Sequence, residues 1–201
     1  MAATPDDGVR LPPLPPKEWP AEMRGALGAM QPPNPRHPPL GKPGGPKGLN
    51  ALGIFAHHPE LARAFLTFNG HLLLASTLSV RDRELVVLRV AAVRDAPYEW
   101  AQHELIAGDA GISPEEVARI RTGPAAPGWS PQDAALLAAV DELVAGAQVT
   151  DATWAALAST YDTQQLLDLV FTIGAYDLIA MVFNTFDVQL DDDLREAGST
   201  F

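Results

Sequence analysis

The chain has 201 residues, 47% hydrophobic and 19% charged, with a formal net charge of −11 and no cysteine. A chain this long can bury a core without covalent staples, and the missing cysteines exclude disulfides, thiolate nucleophiles and cysteine-ligated metals. Every lysine lies at or before Lys47, and beyond it acids outnumber arginines by more than two to one, a surface that repels phosphate backbones and argues against a nucleic-acid partner.

Thirteen of the nineteen prolines fall in the first fifty residues. Proline removes an amide donor and restricts the residue before it, so residues 1–50 read as an extended arm with one short helix between Lys17 and Met30. Leu11, Leu14, Trp19, Met23 and Leu27 make the arm too apolar for a purely solvated linker. It is expected to lie over the core or over a neighbouring subunit. The glycine-rich stretch Gly41 to Gly48 contains prolines that cost it amide donors, and no phosphate-cradling loop or dinucleotide fingerprint occurs elsewhere.

Residues 51–201 read as successive helices. Pro59 opens the first long one, with Leu61, Phe65, Phe68 and Leu72 as its expected apolar stripe. Ser79 caps the next, Val80 to Val93, which is apolar on almost every side apart from Glu84 and is expected to be central and buried. The segment Arg94 to Pro97 breaks it, and Tyr98 to Gly108 forms another helix before the turn at Gly111. Ser113 with Pro114, and Ser130 with Pro131, each pair a cap with a proline in the first turn. Asp162 opens the last long helix, running through Phe171, Ala175, Ile179 and Val182 to Phe186. Sheet signals are absent, so the fold class is all-α. No signal peptide is evident and no apolar run reaches the length a bilayer demands, which makes a cytoplasmic location the expectation.

The segment from Arg81 to His103 carries the chemistry. Glu99 and His103 are four residues apart, one turn along the same face of a helix. Glu84 is a carboxylate in an otherwise apolar helix, a placement that is costly unless the group is paired. This segment resembles the signature of the carboxymuconolactone decarboxylase family, whose alkylhydroperoxidase D-like helical fold also serves thiol peroxidases. In the peroxidase pattern a glutamate precedes a Cys-x-x-Cys pair and a histidine four residues beyond it. Here the glutamate matches Glu84, the cysteine positions hold Ala96 and Glu99, and the histidine matches His103. The decarboxylase pattern, a glutamate four residues before the histidine, is met by Glu99 and His103. The resemblance spans roughly residues 51–191 and leaves the arm unexplained.

The resemblance implies a cofactor-independent enzyme acting on a small carboxylated or carbonyl metabolite, by decarboxylation or an allied isomerisation or lactone reaction. His103 is the candidate general acid/base, Glu99 a second proton-transfer group and Glu84 the group that orients His103 or relays a proton to it. Arg81 and Arg83 are candidates to bind a substrate carboxylate in a forked geometry, and Tyr98, Trp100 and Tyr176 to line the pocket. Each has a plain structural alternative: a solvated ion pair for Glu99 and His103, helix-surface charge for the arginines, ordinary packing for the aromatics. Arg89 reads as one half of a structural salt bridge and His71 as a core or interface residue, with His57 and His58 in a loop and cap. A divalent metal on Glu84, Glu99 and His103 is a weaker reading, since the motif lacks a second histidine; neither metal nor cofactor is expected. Thiol peroxidase chemistry fails for want of a thiolate. The family's habit implies a homo-oligomer, trimer or hexamer. The competing reading is a non-catalytic oligomeric scaffold that binds a ligand.

Overall fold

The computed structural model describes residues 9–38 and 47–198, and among them there is no strand. The helices in chain order are α1 (Met23–Ala29), α2 (Leu49–Phe55), α3 (Pro59–Leu74), α4 (Val80–Val93), α5 (Pro97–Ala107), α6 (Pro114–Thr122), α7 (Pro131–Gly146), α8 (Asp151–Ala158), α9 (Thr163–Phe186) and α10 (Asp192–Ala197). The caps form where the sequence puts them. Ser79 accepts from the amide of Asp82, Ser130 from that of Asp133, and Ser113 with Glu116 closes a full capping box. Asp162 and Gln165 close a second box at the start of α9. Each cap of this kind is worth about 1 kcal/mol.

Helix α4 is the axis of the domain, with α5, α6, α7 and α9 packed around it. Leu85, Val86, Val87, Leu88 and Val90 are all fully buried, each contributing about 1.5–3 kcal/mol by leaving water. Its polar residues are tied off. Arg89 forms a two-pronged pair with Asp141 at 2.6 and 2.8 Å, and Arg81 reaches Asp133 at 2.7 Å and Glu116 at 2.6 Å. These pairs rivet α4 to α6 and α7.

The arm lies against the domain's own α2 and α3. The Leu14 amide donates to the Gly53 carbonyl, the Trp19 indole to the Leu14 carbonyl at 2.7 Å, and the His57 ring to the Pro12 carbonyl at 2.9 Å. Two glycines permit this approach. A Cβ at Gly53 would sit 2.6 Å from the Leu14 carbonyl oxygen, and one at Gly70 only 2.1 Å from that of Met30. Met23 and Ala26 of α1 pack on Ala62 and Leu66 of α3. Most of the glycine-rich stretch, residues 41–46, lies outside the described residues.

Three expectations need correction. The stripe read on α3 is out of phase: Leu61 and Phe68 are exposed, and the buried residues are Ala62, Leu66, Asn69, Gly70, Leu72 and Leu74. Three successive leucines at 72–74 satisfy several phases at once, and docking of α1 selects among them. Of the two readings of His71, the core one does not hold: its side chain is exposed, with Nε2 3.1 Å from Asp168. Helix α9 does pass the length and composition test for a membrane span, with half of the window buried inside the fold. Its outward face leaves Leu167, Val170, Phe171, Leu178 and Met181 about half exposed. The ring of Phe68 meets Phe171 edge-on at 6.0 Å and extends that apolar face onto α3.

Candidate functional site

Pro97 at the first position sets the start of α5 after the break at Asp95, which sits at φ 49°. From there Glu99, Gln102, His103 and Ile106 follow at helical spacing, and all four line one cavity of about 360 Å³. Helix α9 contributes Tyr176, Ile179 and Phe183, and α3 contributes Phe65, Leu66, Asn69 and Leu73. Helix α2 adds Ala51, Leu52 and Phe55. Leu27, Met30 and Gln31 come from the arm. The wall is mostly apolar with a few convergent polar groups, the usual make-up of a small-molecule site.

Behind that wall, α4 holds Glu84. Its Oε2 accepts from His103 Nδ1 at 2.6 Å and its Oε1 from Arg83 Nε at 3.1 Å. Glu84 and Arg83 are both fully buried. Burial pushes the Glu84 carboxyl upward, but the charges and hydrogen bonds of His103 and Arg83 outweigh it and hold the group below its ordinary value. Glu84 is therefore a carboxylate at neutral pH. Its grip on Nδ1 fixes the imidazole and leaves Nε2 as the ring nitrogen free for the cavity.

Glu99 has the opposite environment. It is 1% exposed, and neither carboxyl oxygen has a hydrogen-bond partner. Burial first, and then the charge of Asp177, push its carboxyl well above the usual range, so it holds its proton more tightly than an exposed glutamate does. The i, i+4 spacing puts Glu99 and His103 on one cavity wall, yet the hydrogen-bonded partner of His103 is Glu84. Tyr176 packs its ring edge-on against His103, centroids 5.2 Å apart, and burial followed by the Glu84 charge raises its hydroxyl far above normal.

The remaining sequence candidates separate. Tyr98 lines the cavity, but its hydroxyl donates to Asp191 at 2.7 Å and accepts from the Ala51 amide and the Gln102 side chain; burial and Asp191 raise its pKa strongly. It ties α5 to α2 and to the loop before α10. Arg81, Arg83 and Trp100 are not in the cavity wall. Arg81 is consumed by Asp133 and Glu116, Arg83 is sealed between Glu84 and the Leu73 carbonyl, and Trp100 is buried in a second core cluster with Arg121 over its ring. The forked carboxylate site expected from the arginines is not formed. Asp177 pairs with Arg94, and Asn184 donates to the carbonyls of Arg94 and Asp95; both fasten α9 to the α4–α5 turn.

Sequence reasoning missed Asn69, whose Oδ1 is buried without a partner in the cavity wall, and the arm's Leu27, Met30 and Gln31. An asparagine in an apolar helix stretch was a legible signal for the first; Leu27 was legible as an arm residue lying over the core but not as part of a site, and nothing local marked Met30 or Gln31. Among the described residues no cluster of three or more metal-ligating side chains is present.

Residues 59–142 match the model of the carboxymuconolactone decarboxylase family. Over that span the chain is similar to the family, and the span holds no cysteine. The matched span holds Glu84, Glu99 and His103 and leaves out the arm and α9. No curated protein matches significantly. Among solved structures, a peroxidase-related protein from Silicibacter sp. TM1040 is similar at TM-score 0.72 and 15% identity, covering 96% of this chain and 97% of that one. A protein from Ralstonia eutropha JMP134 with an alkylhydroperoxidase AhpD core is similar at TM-score 0.71 and 20% identity, covering 96% of both chains. A cysteine-to-alanine variant of the debrominase Bmp8, in complex with 2,3,4-tribromopyrrole, is similar at TM-score 0.67 and 15% identity, over 94% of this chain and 96% of that one. At these identities the likeness establishes the alkylhydroperoxidase D-like helical fold.

Proposed function

We propose that the protein is a cofactor-independent enzyme that moves protons on a small carbonyl or carboxylated metabolite, by isomerisation, lactone chemistry or decarboxylation. The observation that carries this reading is the junction of a carboxylate-held imidazole, His103 on Glu84, with the unpartnered Glu99 carboxyl at one apolar cavity. In the isomerisation form, the lone pair of His103 Nε2 takes a proton from the carbon next to a carbonyl. The C–H electrons form a C=C bond and the carbonyl π pair moves to oxygen. Where a C=C bond lies beyond that carbon, the pair on oxygen re-forms the carbonyl, the new C=C bond shifts one place along, and the far alkene carbon takes the proton from imidazolium, regenerating neutral His103 with no net redox change. Loss of carbon dioxide instead leaves the C–C bonding pair on carbon, to be protonated from imidazolium. Glu84 stabilises the imidazolium in either case, and such a positioned acid/base is worth about 10²–10⁴-fold in rate.

The competing reading, a ligand-binding member without turnover, is favoured by one observation: among the described residues the Glu99 carboxyl has no hydrogen bond to His103 or to any other group through which it could pass a proton. Incubation with a panel of small lactone acids, β-keto acids and enones, followed by NMR, separates the two. Conversion that falls at least ~100-fold in His103→Gln supports the enzyme; binding without conversion across the panel supports the scaffold. We also propose self-association as a trimer or hexamer, supported by the outward apolar face of α9 and Phe68, and that the arm and the helical domain act as one unit, supported by the arm residues in the cavity wall.

A further inference from the structure

An anionic ligand needs a counter-charge, and among the described residues the cavity interior offers none. Apart from His103, the one lining side chain among the described residues that can be cationic is Lys47, which is exposed. Arg83 is nearest in sequence to the site's chemistry, but Glu84 and the Leu73 carbonyl close it off. A carboxylate brought inside would lose its hydration near the Glu84 carboxylate and gain no ion pair, the costly case for a buried charge. What the interior does offer is a neutral polar group. The two oxygens of Glu99 are buried without a hydrogen-bond partner among the described residues, and that burial raises its hold on the carboxyl proton. Its neighbours in the wall, including Leu66, Leu73, Ile106 and Ile179, are apolar. A protonated carboxyl is a hydrogen-bond donor, and an apolar site that keeps an acid neutral lets it serve as one at neutral pH.

We infer that the cavity takes an uncharged, largely apolar carbonyl compound, a ketone, enone or lactone, whose oxygen accepts a hydrogen bond from the Glu99 carboxyl while an adjacent carbon faces His103 Nε2. This deepens the proposed function by choosing carbonyl over carboxylate substrates, and it rests on that reading only for the role of His103. Glu99 becomes the group that holds the oxygen where negative charge would develop.

The test uses three pairs of probes matched in shape, each a methyl ketone and the carboxylate that replaces its acetyl group: acetophenone with benzoate, cyclohexyl methyl ketone with cyclohexanecarboxylate, and 2-hexanone with pentanoate. Binding to the full-length protein at pH 7 is followed by ligand-observed NMR, together with the carbonyl 13C resonance of each ketone. The inference expects at least one ketone to bind at least ~10-fold tighter than its carboxylate, with a downfield carbonyl shift on binding. Glu99→Leu should weaken that ketone by about 2–10-fold, the worth of one neutral hydrogen bond, and abolish the shift. Glu99→Gln, which keeps an uncharged donor, should retain most of both. A carboxylate that binds as well as its ketone in every pair, or no ketone binding at all, overturns the inference. If Glu99→Leu fails to fold, the wild-type comparison and the Gln variant still decide. Ketone preference without any turnover would fail the enzyme reading alone; turnover of carboxylates with no ketone preference would fail this inference alone.

Discussion

Replacing Glu84 by glutamine is the perturbation whose consequence the structure specifies most closely. The substitution keeps shape and a hydrogen-bond acceptor for His103 while removing one charge. Arg83, fully buried, then keeps its Leu73 carbonyl contact at 2.7 Å but loses its only ion-pair partner among the described residues, where its Nη2 already lacks a hydrogen-bond partner. Breaking a buried pair from one side costs about 3–5 kcal/mol because the remaining charge is uncompensated. For a chain of this size each kcal/mol moves Tm by about 2–4 °C, so the expected fall is roughly 6–20 °C in a thermal melt at pH 7. The double variant Glu84→Leu with Arg83→Met, which removes both charges, should recover most of that loss. The pH dependence has a definite sign. Because the folded Glu84 carboxyl lies below its ordinary 4.5, its stabilisation is present above that value and is lost as pH falls through the folded one. The gap between wild type and Glu84→Gln should therefore narrow in acid. A Glu84→Gln protein within about 1 kcal/mol of wild type at pH 7, or a gap unchanged at low pH, would refute the reasoning.

Glu99 should behave oppositely: its folded carboxyl lies well above the ordinary 4.5, so its contribution is intact below that value and declines as pH rises toward the folded one. Glu99→Gln should thus melt higher than wild type at pH 8 and nearly the same at pH 4, and equal melting at pH 8 would contradict the burial argument. Gly70→Ala should lose about 1–3 kcal/mol in urea unfolding, because its Cβ would meet the Met30 backbone oxygen at 2.1 Å, and hydrogen exchange should quicken first in α1. Protection of α1 unchanged in that variant would show that the arm docks by another route. Leu178→Glu with Phe171→Glu should convert an oligomer to monomer in light scattering while the melt stays cooperative; a wild-type monomer, or an oligomer untouched by both charges, would remove the proposed α9 interface.

Fold class and most helix ends were legible because capping is local chemistry. Ser79, Ser113, Ser130 and Asp162 each act within three residues of themselves, and the helices they open begin where expected. The run from Val80 to Val93 was legible as the axis because an all-round apolar helix has nowhere else to go. The phase of α3 was not, since Leu72, Leu73 and Leu74 fit several faces until α1 docks. The site was half legible. Spacing put Glu99 and His103 on one wall and the resemblance pointed to Glu84 as the group orienting His103, but the contact itself depends on how α4 crosses α5, a separation of nineteen residues that no periodicity encodes. The same holds for Arg81 and Arg83, whose acceptors arrive from α6, α7 and the end of α3. The arm's share of the cavity depends on Gly53 and Gly70 standing opposite its backbone, which becomes visible only in three dimensions.

The central claim is that His103, held by Glu84, takes a proton from carbon. Hydrogen–deuterium exchange at the carbon next to the carbonyl, followed by proton NMR in deuterium oxide with the best-bound ketone, measures that event without requiring the natural substrate. The account predicts exchange catalysed by wild type and slowed at least ~100-fold in His103→Gln that remains folded. Exchange at the uncatalysed rate with wild type, or the same rate in the variant, would contradict it.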